Sequence, residues 1–418
     1  MPGPEKTEVG DLAILGGRPA FEEPLHVGSP NIGDRDRLRE RIDDLLDRRM
    51  LSNGGPYVRE FERRVADLVG VKHCVATCNG TLALEIAIRA LGLSGEVILP
   101  SFTFVATAHA LQWQEITPVF CDIDPETCNI DPARVHELIT PRTTGIISVH
   151  LWGRPCNTQA LVEIARERGL RLLYDASHAF GGSHRGRMIG SFGDAEVFSF
   201  HATKFINTFE GGAILTKSDD LAEKARLMRN FGFVSYDNVA HVGTNGKMSE
   251  VAAAMGLTSL EAMDRFIAVN RANHDQYARA LGGIRGLRVL PNDDRERCNY
   301  QYVVVEVDEA EAGIDRDSIV QALAAERVLA RRYFHPGCHR MEPYRSYFPH
   351  SGLLLPVTER QSARVFSLPT GTSVSPDQVA EIVQLLALIV EHGEALSEAL
   401  ARRQAGTGHP AIYRPRVA

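Results

Sequence analysis

The sequence has no run of about 18 uninterrupted apolar residues, so it contains no membrane-crossing helix by the usual length criterion. Its first residues, MPGPEKTEVGDLAILGG, lack the basic start and long apolar stretch of a secretory leader. A cytoplasmic location is therefore expected. The seven cysteines are scattered and form no C-x-x-C pair, which argues against a disulfide framework or structural zinc and leaves reduced thiols. An excess of positive charge is missing too: 53 acidic residues outnumber 46 basic ones, for a formal charge of -7. No general field attracts nucleic acid or an anionic membrane, so local groups must hold any anionic ligand. The nearest approach to a metal cluster is HPGCH, His335 to His339, which crowds three donors too closely for tetrahedral geometry. No metal is expected.

What is present is an ordinary globular composition, 44% hydrophobic and 24% charged over 418 residues, which is long for one packing unit. A large domain over residues 30–265 and a smaller one over 266–418 are expected, with the N-terminal segment 1–29 packing on the smaller. From Gly55 onward helical and strand-like segments alternate. YVREFERRVADLVG places Phe61, Val65, Leu68 and Val69 on one helical face and stops at Gly70. HCVATC, EVILP, PVFCDI, GIISVH and LRLLYDA are short apolar runs separated by helices such as TLALEIAIRALGL and TQALVEIARERG. That alternation predicts an α/β fold with a mainly parallel sheet between helices. AEVFSF and GGAILT follow as two more strands. The stretch from Ser249 to Leu281 reads as one long helix, and NYQYVVVEV as a further strand. In SPDQVAEIVQLLALIVEHG, Ser375, Pro376 and Gln378 form a capped helix start. RRQAGTGHPAIYRPRVA reads as a loose tail.

The chemistry gathers around four motifs. FSFHATKFINTFEGG puts Lys204 in the loop after a strand whose Phe198 and Phe200 face one side and Ser199 and His201 the other. A lysine there is usually a solvated charge, but a desolvated amine has a depressed pKa and acts as nucleophile or base. In CNGTLAL a strand end meets a helix start at Gly80 and Thr81, where free amides and the dipole favour phosphate, although a plain capped turn explains the residues as well. LLYDASHAFG ends a buried strand in Asp175, with His178 three residues on. A protonated ring nitrogen or a salt bridge would satisfy that carboxylate. PSFTFVAT offers Phe104 as a plate for a flat ring, or simply as a core aromatic. Ligands of open parallel sheets bind at the carboxyl ends of the strands, where all four motifs lie. Together they describe a pyridoxal 5'-phosphate site.

On these motifs, in this order, the chain resembles the DegT/DnrJ/EryC1/StrS sugar aminotransferases, over nearly its whole length from LAILGGRPAF to the last helix. The resemblance implies fold type I, the aspartate aminotransferase-like fold. It also implies that Lys204 bonds the aldehyde of pyridoxal 5'-phosphate, Asp175 pairs with the pyridine nitrogen, Phe104 stacks on the ring and His178 lies beside it. Gly80, Thr81 and Ser199 match phosphate positions. Asn245 matches an asparagine that reaches the neighbouring subunit's phosphate, which implies a homodimer with shared sites. Cys78 stands where serine is common and Tyr174 where an acidic residue is common. The HATK…EGG loop and YFHPGCHRMEPY look like the 4-aminotransferase branch. The implied reaction moves an amino group from L-glutamate to dTDP-4-keto-6-deoxy-D-glucose through pyridoxamine 5'-phosphate. Arg331, Arg332 and Lys247 are candidates to hold the diphosphate. The alternatives are 3-amino or cyclitol transamination, a ketosugar dehydratase (which would replace Lys204 by histidine), and an idle regulatory relative.

Overall fold

Residues 6–407 are described in the computed structural model. The amphipathic segment after Gly55 forms helix α1 (Pro56–Val69), with Pro56 in its first turn and Gly70 ending it at a φ of 75°, a conformation glycine adopts without strain. Strand β1 (His73–Thr77) leads to α2 (Gly80–Ala90). Then come β2 (Glu96–Pro100), α3 (Ala106–Gln112), β3 (Thr117–Cys121), β4 (Thr143–Val149), α4 (Thr158–Arg168), β5 (Arg171–Asp175), β6 (Ala195–Ser199) and β7 (Gly212–Thr216). These seven strands form one sheet in the order β1-β7-β6-β5-β4-β2-β3. β7 runs antiparallel to both its neighbours and the other pairings are parallel.

Burial explains the apolar runs. Along the strands, Val97, Ile147, Leu173, Val197 and Ile214 enter the hydrophobic cluster on one face. Their chain neighbours Ile98, Ile146, Leu172, Phe198 and Ala213 enter clusters on the other. A sheet covered on both faces needs no polar alternation. The antiparallel turn from β6 to β7 matters most, because it allows a short connection, and that connection carries Lys204.

The long helix expected over Ser249–Leu281 is two helices, α5 (Glu250–Glu261) and α6 (Met263–Leu281). Ala262 leaves helical geometry and its N–H turns back to the Ser259 carbonyl at 3.1 Å. The two helices serve different cores: Ala253 and Leu257 pack in the large-sheet cluster, Tyr277 and Leu281 in a C-terminal one. The C-terminal cluster surrounds a three-stranded antiparallel sheet of β8 (Leu287–Val289), β9 (Val303–Val307) and β10 (Val365–Leu368). Leu12, Ala20, Phe21 and Leu25 belong to the same cluster. Helix α7 (Pro376–Glu391) has the expected cap: Ser375 Oγ accepts the Gln378 N–H at 3.2 Å, and the Gln378 side chain accepts the Ser375 N–H at 2.9 Å. The stretch read as a loose tail starts inside helix α8 (Gly393–Thr407), while its residues 408–418 lie outside those described. Among the described residues no helix is long and apolar enough to cross a membrane.

Candidate active site

The end of β6 and the two residues after it bury Phe198 and Phe200 completely and leave Ser199 and His201 half-buried. Past this strand the chain turns, with the Lys204 N–H donating to the His201 carbonyl at 2.8 Å. Gln301 pins the loop: its Oε1 accepts the Phe205 N–H at 2.9 Å and its Nε2 donates to the Thr203 carbonyl at 2.6 Å. Asn31 Nδ2 adds a bond to the Phe205 carbonyl at 3.2 Å. The loop therefore cannot swing its lysine into solvent without breaking three side-chain bonds. Desolvation brings the Lys204 amine down from 10.5 to about 8, against the opposing pull of the Asp175 carboxylate.

Asp175, at the end of β5, is buried. Its Oδ2 accepts the Thr107 hydroxyl from α3 at 2.8 Å and its Oδ1 the Ser177 N–H at 3.1 Å. The His178 ring is also buried. Burial, and then the nearby Lys204 charge, push its pKa well down, so the ring is neutral. The Trp152 N–H points at its Nδ1 at 3.4 Å, Phe334 stacks on it at 5.4 Å and 15°, and Tyr302 meets it edge-on. Asn299 Nδ2 donates to the carbonyls of His178 and Phe180 at 2.9 and 3.0 Å. Ser177, His178, Ser199, Lys204, Asn299 and Gln301 line one cleft.

The Asn79 side chain accepts the Leu82 N–H at 2.8 Å and so caps α2. In the first turn the amides of Gly80 and Thr81 have no intrahelical acceptor and lie at the positive end of the dipole. A Cβ on Gly80 would stand 2.9 Å from Ser199 Cβ and 3.2 Å from its Oγ, so only glycine allows this approach. Three expected phosphate residues thus converge. Phe104 is 55% exposed, not a core aromatic, and its ring lies 6.4 Å from Phe334.

Four other candidates find their partners elsewhere. Asn245 is exposed and bridges to Asn230. Lys247 lines a separate cavity of about 760 Å³ with Arg226, Arg229, Asn230 and Tyr236, and its Nζ donates to Asn230 Oδ1 at 3.0 Å. Arg332 pairs with Asp317 at 2.9 Å, and the exposed Arg331 lies over the Tyr333 ring at 5.5 Å. Of the two unusual residues, Tyr174 is fully buried and stacks on His150 at 5.0 Å, while Cys78 is half-buried. Sequence reasoning missed Thr107, Asn299, Gln301 and Phe334. A signal existed for two of them: NYQ, read as the start of a strand, puts polar residues ahead of an apolar run, and the strand begins only at Val303.

The model of the DegT/DnrJ/EryC1/StrS aminotransferase family matches residues 33–387. The chain belongs to this family. As a member it is an aminotransferase of the pyridoxal phosphate-dependent α/β fold. A "dTDP-4-amino-4,6-dideoxy-D-glucose transaminase" of Shigella dysenteriae is 38% identical over 369 residues, 88% of this chain and 99% of the relative. A "GDP-perosamine synthase" of Caulobacter vibrioides is 34% identical, over 87% of this chain and 97% of its own length. Among solved structures, DesI "in the presence of its TDP-sugar product" is 53% identical with a TM-score of 0.90, covering 95% of this chain and 100% of that one.

Proposed function

We propose that this aminotransferase moves an amino group from L-glutamate to dTDP-4-keto-6-deoxy-D-glucose, giving dTDP-4-amino-4,6-dideoxy-D-glucose. The observation that carries the reading is the desolvated Lys204 amine, held down to about 8 and within reach of the charge of the buried Asp175. The residues present suit pyridoxal phosphate. A near-neutral amine suits its aldehyde, the Gly80–Ser199 approach leaves a cradle a Cβ would fill, and Phe104 has an uncovered face for its ring. When bound, this cofactor supplies an aldehyde that bonds amines and a ring that accepts the electron pair left by a departing proton. With the cofactor held there, Lys204 would serve as the general base that takes the α proton of the amino donor and returns a proton to carbon. Asp175, oriented by Thr107 and the Ser177 N–H, would pair with the cofactor's ring nitrogen and favour its protonated form. The neutral His178 fills the cleft beside the ring without adding charge. Gly80, Thr81 and Ser199 bind the phosphate.

The sugar is assigned from the company the chain keeps: the printed activity of the Shigella relative and the TDP-sugar product seen with DesI. We further propose a homodimer in which Asn245 and Lys247 serve the partner subunit's site. Lys247 lines the second cavity and Asn245 bridges to Asn230 on its wall. Arg331 and Arg332 are retained as diphosphate candidates, although Arg332 would first have to leave Asp317.

The test is an absorbance spectrum of the cofactor-loaded protein after L-glutamate and then dTDP-4-keto-6-deoxy-D-glucose. The visible band should fade with the first and return with the second, with 2-oxoglutarate and the amino sugar as products. A band that ignores glutamate ends the transaminase reading, and one restored only by another ketosugar corrects the substrate.

A further inference from the structure

The HPGCH segment, which holds no metal-ligand cluster among the described residues, builds a different arrangement. His339 is buried, with Nδ1 2.6 Å from the hydroxyl of Ser101 and Nε2 2.7 Å from Glu359 Oε1. The Ser101 Oγ also accepts the His339 backbone N–H at 3.1 Å, so its own proton is free to donate to Nδ1. The imidazole then donates Nε2–H to Glu359, which Arg340 also holds at 2.6 Å. Every group is satisfied by a neutral ring, in keeping with the burial that lowers its pKa.

A serine, a histidine and a glutamate in line suggest a hydrolytic triad, but the geometry speaks against one. Ser101 is fully buried, and the ring presents Nδ1 rather than Nε2 to it, the reverse of the nucleophilic arrangement. The surroundings describe a clamp. The Cys338 N–H donates to the Ser101 carbonyl at 2.9 Å, and Cys338 Sγ lies 3.4 Å from the Thr103 carbonyl. Gly337 has a φ of 89°, and a Cβ there would come within 3.1 Å of the His339 ring, so the turn is shaped to fold that ring back. Residues 337–339 are therefore stitched to the loop that follows β2, and that loop carries Phe104. The same segment brings Phe334 against Phe102, Phe104 and His178.

We propose that His339 is a positioning residue that fixes the loop 101–104 through Ser101 and so determines how Phe104 seats on the cofactor ring. This rests on the reading of Phe104 as the stacking plate. Its test is the dissociation constant for pyridoxal phosphate, followed by quenching of tryptophan fluorescence, with Trp152 5.6 Å from Phe102 as reporter. Full-length wild type, His339→Ala, Ser101→Ala, Glu359→Gln and Phe104→Ala are compared, with melting temperatures alongside. His339→Ala and Ser101→Ala should each weaken binding about tenfold, and combining them should cost no more than either. Placed on Phe104→Ala, His339→Ala should add nothing. Wild-type affinity in His339→Ala, or losses that multiply with those of Phe104→Ala, overturns the proposal. Should His339→Ala fail to fold, Ser101→Ala carries the test: weaker binding at an unchanged melting temperature supports the clamp, and unchanged binding overturns it. Wild-type protein that takes up no pyridoxal phosphate ends the cofactor reading itself, an outcome distinct from any variant's.

Discussion

Burying the Lys204 amine costs the folded protein stability whenever that amine carries a proton. The folded pKa is about 8 against an ordinary 10.5, so the unfolded chain binds the proton more tightly. The cost is therefore complete below pH 8, shrinks between 8 and 10.5, and vanishes above. Cofactor-free Lys204→Met is expected to be more stable than wild type by about 1–3 kcal/mol at pH 7, with the gap closing above pH 10.5. Urea unfolding at the two pH values checks this, and a Met variant no more stable at pH 7 contradicts it. At this scale much could be read ahead. A lysine after an alternating aromatic strand and an aspartate ending an apolar run are local patterns. Gln301 shows locally only as a polar residue ahead of an apolar run, and nothing in the chain says that it holds the lysine loop from 96 residues away.

Elements meet at the site through close backbone approach. Where α2 begins beside the end of β6, Gly80 does two jobs, opening the helix and admitting Ser199. Alanine is the better helix former, so propensity alone makes Gly80→Ala harmless. The contact argument makes it damaging. We expect Gly80→Ala to weaken pyridoxal phosphate binding at least about tenfold and to leave the affinity for pyridoxal, which lacks the phosphate, unchanged. Titrating both ligands decides it, and equal losses would place the damage outside the phosphate cradle. Element boundaries were legible where a chemical marker stood, as at Ser375, Pro376 and Gln378. The break at Ala262 has no proline or glycine to announce it, because it comes from the different cores that α5 and α6 serve.

Among the described residues, exposed apolar side chains gather at one hairpin, although others such as Trp113 and Leu353 stand exposed elsewhere. The hairpin of Phe233–Ser235 and Asn238–Val239 carries Val234 and a fully exposed Tyr236, with Val242 close in sequence. Phe233, Val234 and Tyr236 line the cavity that also holds Arg229 and Lys247. Apolar groups gathered so openly mark an interaction surface, and under the homodimer reading a second copy covers it. The double variant Val234→Asp with Tyr236→Ser should drop from twice the chain mass to about 46 kDa by light scattering. A wild-type protein already at the chain mass removes the shared-site proposal. The proposed packing of residues 1–29 on the smaller domain draws support from Leu12, Phe21 and Leu25 joining the core around β8 to β10.

The sequence by itself determined the α/β alternation, the capped helices and the set of chemical groups at the strand ends. Each of these depends on residues near one another in the chain, where periodicity and capping chemistry operate. Only the tertiary structure decided which groups share a cleft. It gave Lys247 to the second cavity with Arg229, Arg332 to Asp317, and His339 to Ser101, 238 residues away. Such pairings depend on how separate cores pack, and packing between distant segments leaves no periodic trace in the chain.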